Sequence, residues 1–442
     1  MHYPQKGMLL GLALAIVSSL SDRAQAAPSY GGKSITIPIV HPHQQGQFLG
    51  SPHLDVAFGK SVGFTDYTSF LLDTGSTGIA VSRHVWDPNA AGATKLGSGS
   101  ITYSSSGKKY TGDWYSTFVR IGQPDHYAEA SVPVLFVKDL MCLPDARDCQ
   151  ENHDPALRMF GVGFGRASAS DSVSPNGTVA AVPANNPLLH ITSLNGTSVK
   201  PSTPAKPGST GIRGDFTSGY ILSRAGLTLG LTPTNTAPFA KLLGLTWSDR
   251  TQASGFDSGY ADWNPVPATL TVNGTTGSGG VLTDTGLSYM FVTPASGTSV
   301  QVDKACGVGH DCLAPGTTVA VSIDTMVSYQ FTIGSSSGEP IQPAPPAAPP
   351  YAIKADGSVF VNTGSQFFNQ YIYLYDYVNG QVGYLDRQAF AGYPTENLDW
   401  LVDAFNPSPV PGPLPLAGAV TAYRCTRQLR RRLRQASGVE PG

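Results

Sequence analysis

The chain has 442 residues, with 50 Gly, 35 Pro, five Cys, 13% charged residues and a formal net charge of −2. This is far from a helical composition and close to that of turn-rich β proteins. Setting aside Lys6, Arg23, Asp22, Glu440 and six C-terminal arginines leaves 20 basic against 28 acidic residues, which excludes a nucleic-acid footprint.

Lys6 precedes the apolar run MLLGLALAIVSSL, and AQA at residues 24 to 26 supplies small residues for cleavage. Residues 1–26 therefore read as a signal peptide, the apolar run being too short to span a bilayer. His41 and His43 fall near the first strand and read as solvated. The body that follows exceeds what one core usually serves, so two lobes are expected, at 27–222 and 223–405.

Short alternating runs, SITIPIV, LDVAFG, WYSTFVRIG, GYILS, LTLGL, ATLTV and YQFTIG, predict strands separated by Gly, Ser, Asn and Pro clusters. Brief helical periodicity occurs at NNPLLHITSL and APFAKLLGL. Stretches 166–218 and 335–350 read as loops, the second stiffened by proline. Cys142 with Cys149 and Cys306 with Cys312 each enclose a small loop that suits a disulfide, leaving Cys425 over. Their spacings are not those of zinc ligands, and His153 and His310 lack a second histidine at ligand spacing.

Two segments stand out. FLLDTGSTGIAVS carries Asp73 and VLTDTGLSYMFV carries Asp284, each at the end of an apolar run and each followed by Thr-Gly. One such tripeptide is cheap in a chain this rich in Gly and Thr. Two, one in each half of the body, point to duplicated lobes that each lend a carboxylate to a shared cleft. Two acids close enough to share a proton can divide the roles of base and acid. Gly75 and Gly286 are expected to permit a tight turn behind each acid.

With these segments the sequence resembles the pepsin-like aspartic proteases. ITYSSSGKKYTG resembles the family's flap hairpin and places Tyr103 as the flap tyrosine, with Tyr110 as rival. MFGVGFG resembles the apolar-apolar-Gly segment of the first lobe, with Gly163 as its glycine. YADWNPVPATLTVNG looks like the strands leading to the second acid. GQFFNQYIYLYDYVNGQVGYL, with Gly364 just upstream, resembles a second-lobe segment through its Phe367, Gln370, Tyr371 and Asp376 spacing. The resemblance implies an all-β, bilobal pepsin-like fold with the active-site cleft between two related lobes.

It also implies roles. Asp73 and Asp284 would hold the lytic water, without a covalent intermediate. Ser76 would donate to the outer oxygen of Asp73, Thr74 and Thr285 would brace the two turns against each other, and Tyr103 would close over the substrate. Peptides or proteins would be the substrates of a monomer that needs no metal or cofactor.

Three departures accompany the resemblance. Leu287 stands where the family has Ser or Thr, so Asp284 is expected to lack one hydrogen-bond donor. Ala80 replaces a tryptophan that often partners the flap tyrosine. Asn362 and Thr363 replace an apolar pair before Gly364, and Asn362 rules VNTGSQ out as a third acid motif. Leu287 and Ala80 motivate a second reading, a weak or inactive pepsin-fold binding or inhibitor protein. Only about six residues separate the signal-cleavage site from the first strand, so export without a prosegment is expected.

Residues 406–442 join a Pro-rich linker to a short apolar stretch and six arginines, which suits a transient membrane stop. The tail resembles a PEP-CTERM sorting signal with Gly412 in place of the usual Glu. A secreted or surface-held body, released or attached by a sorting enzyme, is the expectation.

Overall fold

A computed structural model describes residues 28–40, 50–59, 63–144, 146, 149–166, 172–175, 177, 179–205, 211–224, 226–248, 262–303, 311–334, 351–352 and 358–387. The signal peptide, His41, His43, Cys306, His310, the 335–350 loop, Cys425 and the 406–442 tail lie outside these residues.

The regular structure of the described residues is nearly all strand, in two nine-stranded sheets and a third of seven. All seven runs expected as strands lie in strands, because alternation buries one side of each: the strand Val266–Val272 buries every second residue. Two strands that follow the acids in sequence, Thr77–Ser82 and Phe291–Thr293, are buried throughout, which explains why their apolar residues run on without alternation. Two hairpins turn on Asn-Gly pairs with positive φ, Asn195–Gly196 and Asn273–Gly274. Neither helical expectation yields a regular helix. NNPLLHITSL forms the end of one 3-10 turn, a second turn at Pro187–Leu189 and the strand Ile191–Leu194, while the only α-helical turn nearby, Pro233–Thr236, ends before APFAKLLGL. Both windows are too short for periodicity to outweigh sheet pairing.

The two nine-stranded sheets repeat one pattern. In the first, Thr68–Asp73 pairs antiparallel with His53–Gly59 and parallel with Arg158–Val162, which pairs antiparallel with Thr77–Ser82. In the second, Thr275–Leu282 pairs antiparallel with Val266–Val272 and parallel with Val359–Asn362, which pairs antiparallel with Phe291–Thr293. The architecture is thus all-β and bilobal with related lobes, the pepsin-like arrangement that the resemblance implied.

The third sheet joins them. It aligns Ile35–Pro38, Gly226–Leu231, Phe216–Leu222, Tyr371–Asp376 and Gln381–Asp386, so strands from both ends of the chain meet. The boundary expected at 222/223 lies in the turn of a hairpin within it. Gln370, Tyr371 and Asp376 serve this sheet: the fully buried Asp376 carboxylate accepts hydrogen bonds from the backbone N–H and the side-chain amide of Asn379.

Candidate active site

Asp73 ends the strand Thr68–Asp73, and Asp284 stands two residues beyond Leu282, the end of Thr275–Leu282. Both side chains are buried, at 4% and 3% exposure. Each inner oxygen is held by its own loop: the Gly75 N–H donates to Asp73 Oδ1 at 2.7 Å and the Gly286 N–H to Asp284 Oδ1 at 2.6 Å. A Cβ on Gly286 would lie 2.5 Å from Asp73 Oδ1, and one on Gly75 would strike the Asp284 carboxyl. Neither glycine has positive φ, so the expectation of a turn requirement is corrected. Glycine is needed at both places because each acid loop runs directly against the other lobe's carboxylate.

The threonines brace the loops. The N–H of Thr74 donates to Thr285 Oγ1 and that of Thr285 to Thr74 Oγ1, both at 3.0 Å. The hydroxyls donate onward, Thr74 to the Thr283 carbonyl and Thr285 to the Leu72 carbonyl, both at 2.6 Å. All these groups are buried, so the network fixes one lobe on the other.

The outer oxygens are served differently. Ser76 Oγ donates to Asp73 Oδ2 at 2.5 Å, as expected from the sequence. Leu287 gives nothing comparable and packs on Phe291 and Cys312. The donor to Asp284 Oδ2 is instead the side-chain amide of Asn362, at 2.6 Å. The expectation that Asp284 lacks a donor is therefore corrected. The Asp284 N–H reaches Thr363 Oγ1 at 3.2 Å, so both polar departures before Gly364 serve the second acid.

Burial, then the charge of the adjacent Asp73, pushes the Asp284 carboxyl well above the ordinary carboxylate range, against the pull of Asn362 and the Gly286 N–H. The Asp284 carboxyl accordingly keeps its proton to higher pH than an ordinary carboxyl does.

A cavity of about 290 Å³ opens over the two acids. Tyr103 and Tyr110 both line it from the hairpin formed by Thr94–Tyr103 and Lys108–Gln123, their rings edge to face at 5.7 Å. The Tyr103 hydroxyl is buried without a hydrogen-bond partner among the described residues, and Ala80, in the apolar cluster beside it, offers none. Cys142 and Cys149 form a disulfide beside the turn of this hairpin: Lys108 pairs with Cys142 and the Leu143 N–H donates to the Gly107 carbonyl at 2.8 Å. Cys312 is also disulfide-bonded.

Arg166, absent from the sequence reading, also lines the cavity beside the acids. Burial lowers its pKa, opposed by the charges of Asp284, Asp73 and Asp262, and its hydrogen bond is a long one to Ser104 Oγ on the hairpin turn. Only its place after GVGFG hinted at it. Gly163, expected as the glycine of the apolar-apolar-Gly segment, yields to Gly161. Asp73 pairs with Gly161, and extending the second sheet's register from Leu282–Asn362 brings Asp284 level with Gly364. His153 pairs with Asp139 at 2.8 Å, away from the acids. No cluster of three or more His, Cys, Asp or Glu that could hold a metal occurs among the described residues.

No protein-family profile matches the chain, and no curated protein matches it. Among solved structures it is similar to the crystal structure of an aspartic proteinase from Irpex lacteus. The identity is 15%, the TM-score 0.44, and the match covers 80% of this chain and 97% of that one.

Proposed function

We propose that the protein is an aspartic endopeptidase that hydrolyses peptide bonds with a water activated between Asp73 and Asp284. The carrying observation is the pair of buried carboxylates, delivered by equivalent loops, each pressed against the other's glycine and opening into one cavity. In the singly protonated pair, the ionised member takes a proton from the water while its partner donates to the scissile carbonyl oxygen. The resulting tetrahedral intermediate collapses with proton transfer to the leaving nitrogen. Tyr103 and Tyr110 would cover the substrate, excluding bulk water.

The working form needs one proton on the pair, so activity is expected from acidic pH upward until that proton is lost. The test is digestion of a denatured protein across pH 3 to 7 by the wild type, Asp73→Asn and Asp284→Asn, with and without a statine-type inhibitor. Cleavage by the wild type alone, blocked by the inhibitor, is expected. Because both acids share one water, their losses should not add. A single Asn variant retaining more than roughly a tenth of the activity would defeat the assignment.

Export through residues 1–26 and surface release or attachment through residues 406–442 belong to the same proposal. Intact mass of protein recovered from cells tests them: a mature form should end near residues 410 to 415, and retention of Arg430 to Arg434 would oppose processing.

A further inference from the structure

The two lobes hold their acids by different means. In the first sheet Leu71, two residues before Asp73, pairs with Met159; in the second Leu282, two before Asp284, pairs with Asn362. The antiparallel neighbours agree, since Ala80, seven residues after Asp73, pairs with Met159, and Phe291, seven after Asp284, pairs with Asn362. Met159 and Asn362 are therefore equivalent positions, as Ser76 and Leu287 are by their distance from each acid.

Across the two lobes the polar and apolar members are exchanged. In the first lobe the loop residue, Ser76, is polar and the strand residue, Met159, packs against an apolar cluster. In the second the loop residue, Leu287, packs against an apolar cluster and the strand residue, Asn362, is polar. The orientation of the Asn362 amide is fixed at both ends. The Gly364 N–H can only donate, so the atom 3.0 Å from it is Oδ1, and the NH₂ group must face Asp284. Asn362 is fully buried.

We propose that Asn362 is the positioning residue of Asp284, replacing from the strand Val359–Asn362 the donor that Leu287 cannot supply from the loop. The inference deepens the endopeptidase reading and rests on it for its kinetic consequence. The hydrogen bond holds the carboxyl in the plane that meets Asp73 and stabilises its charged form. Asn362 touches neither water nor substrate in this role.

The test compares Asn362→Leu, Leu287→Ser and the double variant. For Asn362→Leu, kcat should fall roughly ten- to a hundredfold with little change in KM, the range that a hydrogen bond to a charged group represents. Asp284, followed by ¹³C carboxyl NMR and assigned by its absence in Asp284→Asn, should titrate at higher pH. Adding Leu287→Ser should recover at least several-fold of the loss and draw the titration back. Unchanged kcat and titration in Asn362→Leu, or a loss that the new serine does not repair, overturns the proposal.

If Asn362→Leu does not fold, the near-isosteric Asn362→Asp carries the test: its activity should be confined to lower pH as the new acid ionises, and an unaltered profile refutes the role. If the wild type cleaves no peptide, the endopeptidase reading falls while the Asp284 titration still decides this one.

Discussion

Thr74 and Thr285 each donate a backbone N–H to the other's hydroxyl across 211 residues of sequence. Each hydroxyl also donates to a carbonyl of the opposite lobe, so no single bond can be lost alone. Thr285→Val keeps the shape but strips partners from the Thr74 N–H and the Leu72 carbonyl, both buried. About 2–5 kcal/mol of stability should be lost, since each buried unsatisfied group costs ~1–3 kcal/mol. Urea denaturation measures this, and kcat should fall with it because the loop carrying Asp284 loses its brace. A loss below about 1 kcal/mol would show that the threonines do not join the lobes.

The Tyr103 hydroxyl has no partner among the described residues, whereas its ring packs edge to face on Tyr110. Tyr103→Phe keeps the ring contact and removes a group that no atom of the described residues satisfies. Thermal stability should be unchanged or slightly higher, while kcat/KM falls several-fold as the group that would meet substrate disappears. Normal turnover in Tyr103→Phe and a deficit in Tyr110→Phe would transfer the role to Tyr110.

Two acids away from the dyad set opposite pH dependences of stability. Burial pushes Asp262 up to about 6, against hydrogen bonds from the Gly165 and Trp263 N–H groups and the charge of Arg166. A raised folded-state pKa contributes stability that is fully present below the unfolded value near 4 and is lost as pH climbs through about 6. Asp262→Asn should therefore gain on the wild type at pH 7 relative to pH 4. For Asp113, burial would raise the pKa, but Lys138, Lys95 and Ser98 together hold it down at about 2. Its contribution is present above about 4 and lost as pH falls through about 2. Asp113→Asn should cost stability at pH 6 and little at pH 2. Thermal midpoints of both variants at pH 2, 4 and 7 test the signs, and parallel pH profiles for the two would contradict them.

The Cys142–Cys149 loop presses on the hairpin turn at Gly107, whose φ is +66° and whose Cβ would collide with Ala146. Replacing both cysteines by serine should lower stability by at most about 2.5 kcal/mol, the chain-entropy value for so small a loop. KM should rise more than kcat falls, because the hairpin over the cavity loses its buttress. Equal KM with and without the disulfide would show that the hairpin holds its shape unaided.

The paired acids, their threonines, Ser76 and the main strands were legible because each is a local pattern: an apolar run, a turn, a fixed offset. Asn362 was visible as a departure but not as a donor. Its contact with Asp284 depends on a parallel register between strands some eighty residues apart, which no local window carries. The same limit explains the choice of Gly163 over Gly161, since both glycines fit the apolar spacing and only the pairing with Asp73 distinguishes them. Arg166 was missed because a lone arginine after a glycine-rich strand has no signature until the other lobe closes around it. The third sheet was equally hidden, assembled as it is from strands drawn from both ends of the chain.

The exchange between Leu287 and Asn362 constrains how such a site can change over generations. Starting from a hydroxyl in the loop and an apolar strand residue, a chain that first acquired leucine at 287 would pass through a form whose second acid has no donor on its outer oxygen. A chain that first acquired asparagine at 362 would briefly hold two donors for one oxygen and remain serviceable. On the role proposed for Asn362, that route has a direction: with leucine in place and packed on Phe291, loss of the asparagine would leave the outer oxygen of Asp284 without its donor. Single substitutions at these two positions are consequently poor guides to what each residue tolerates, because the tolerance of either is set by the occupant of the other.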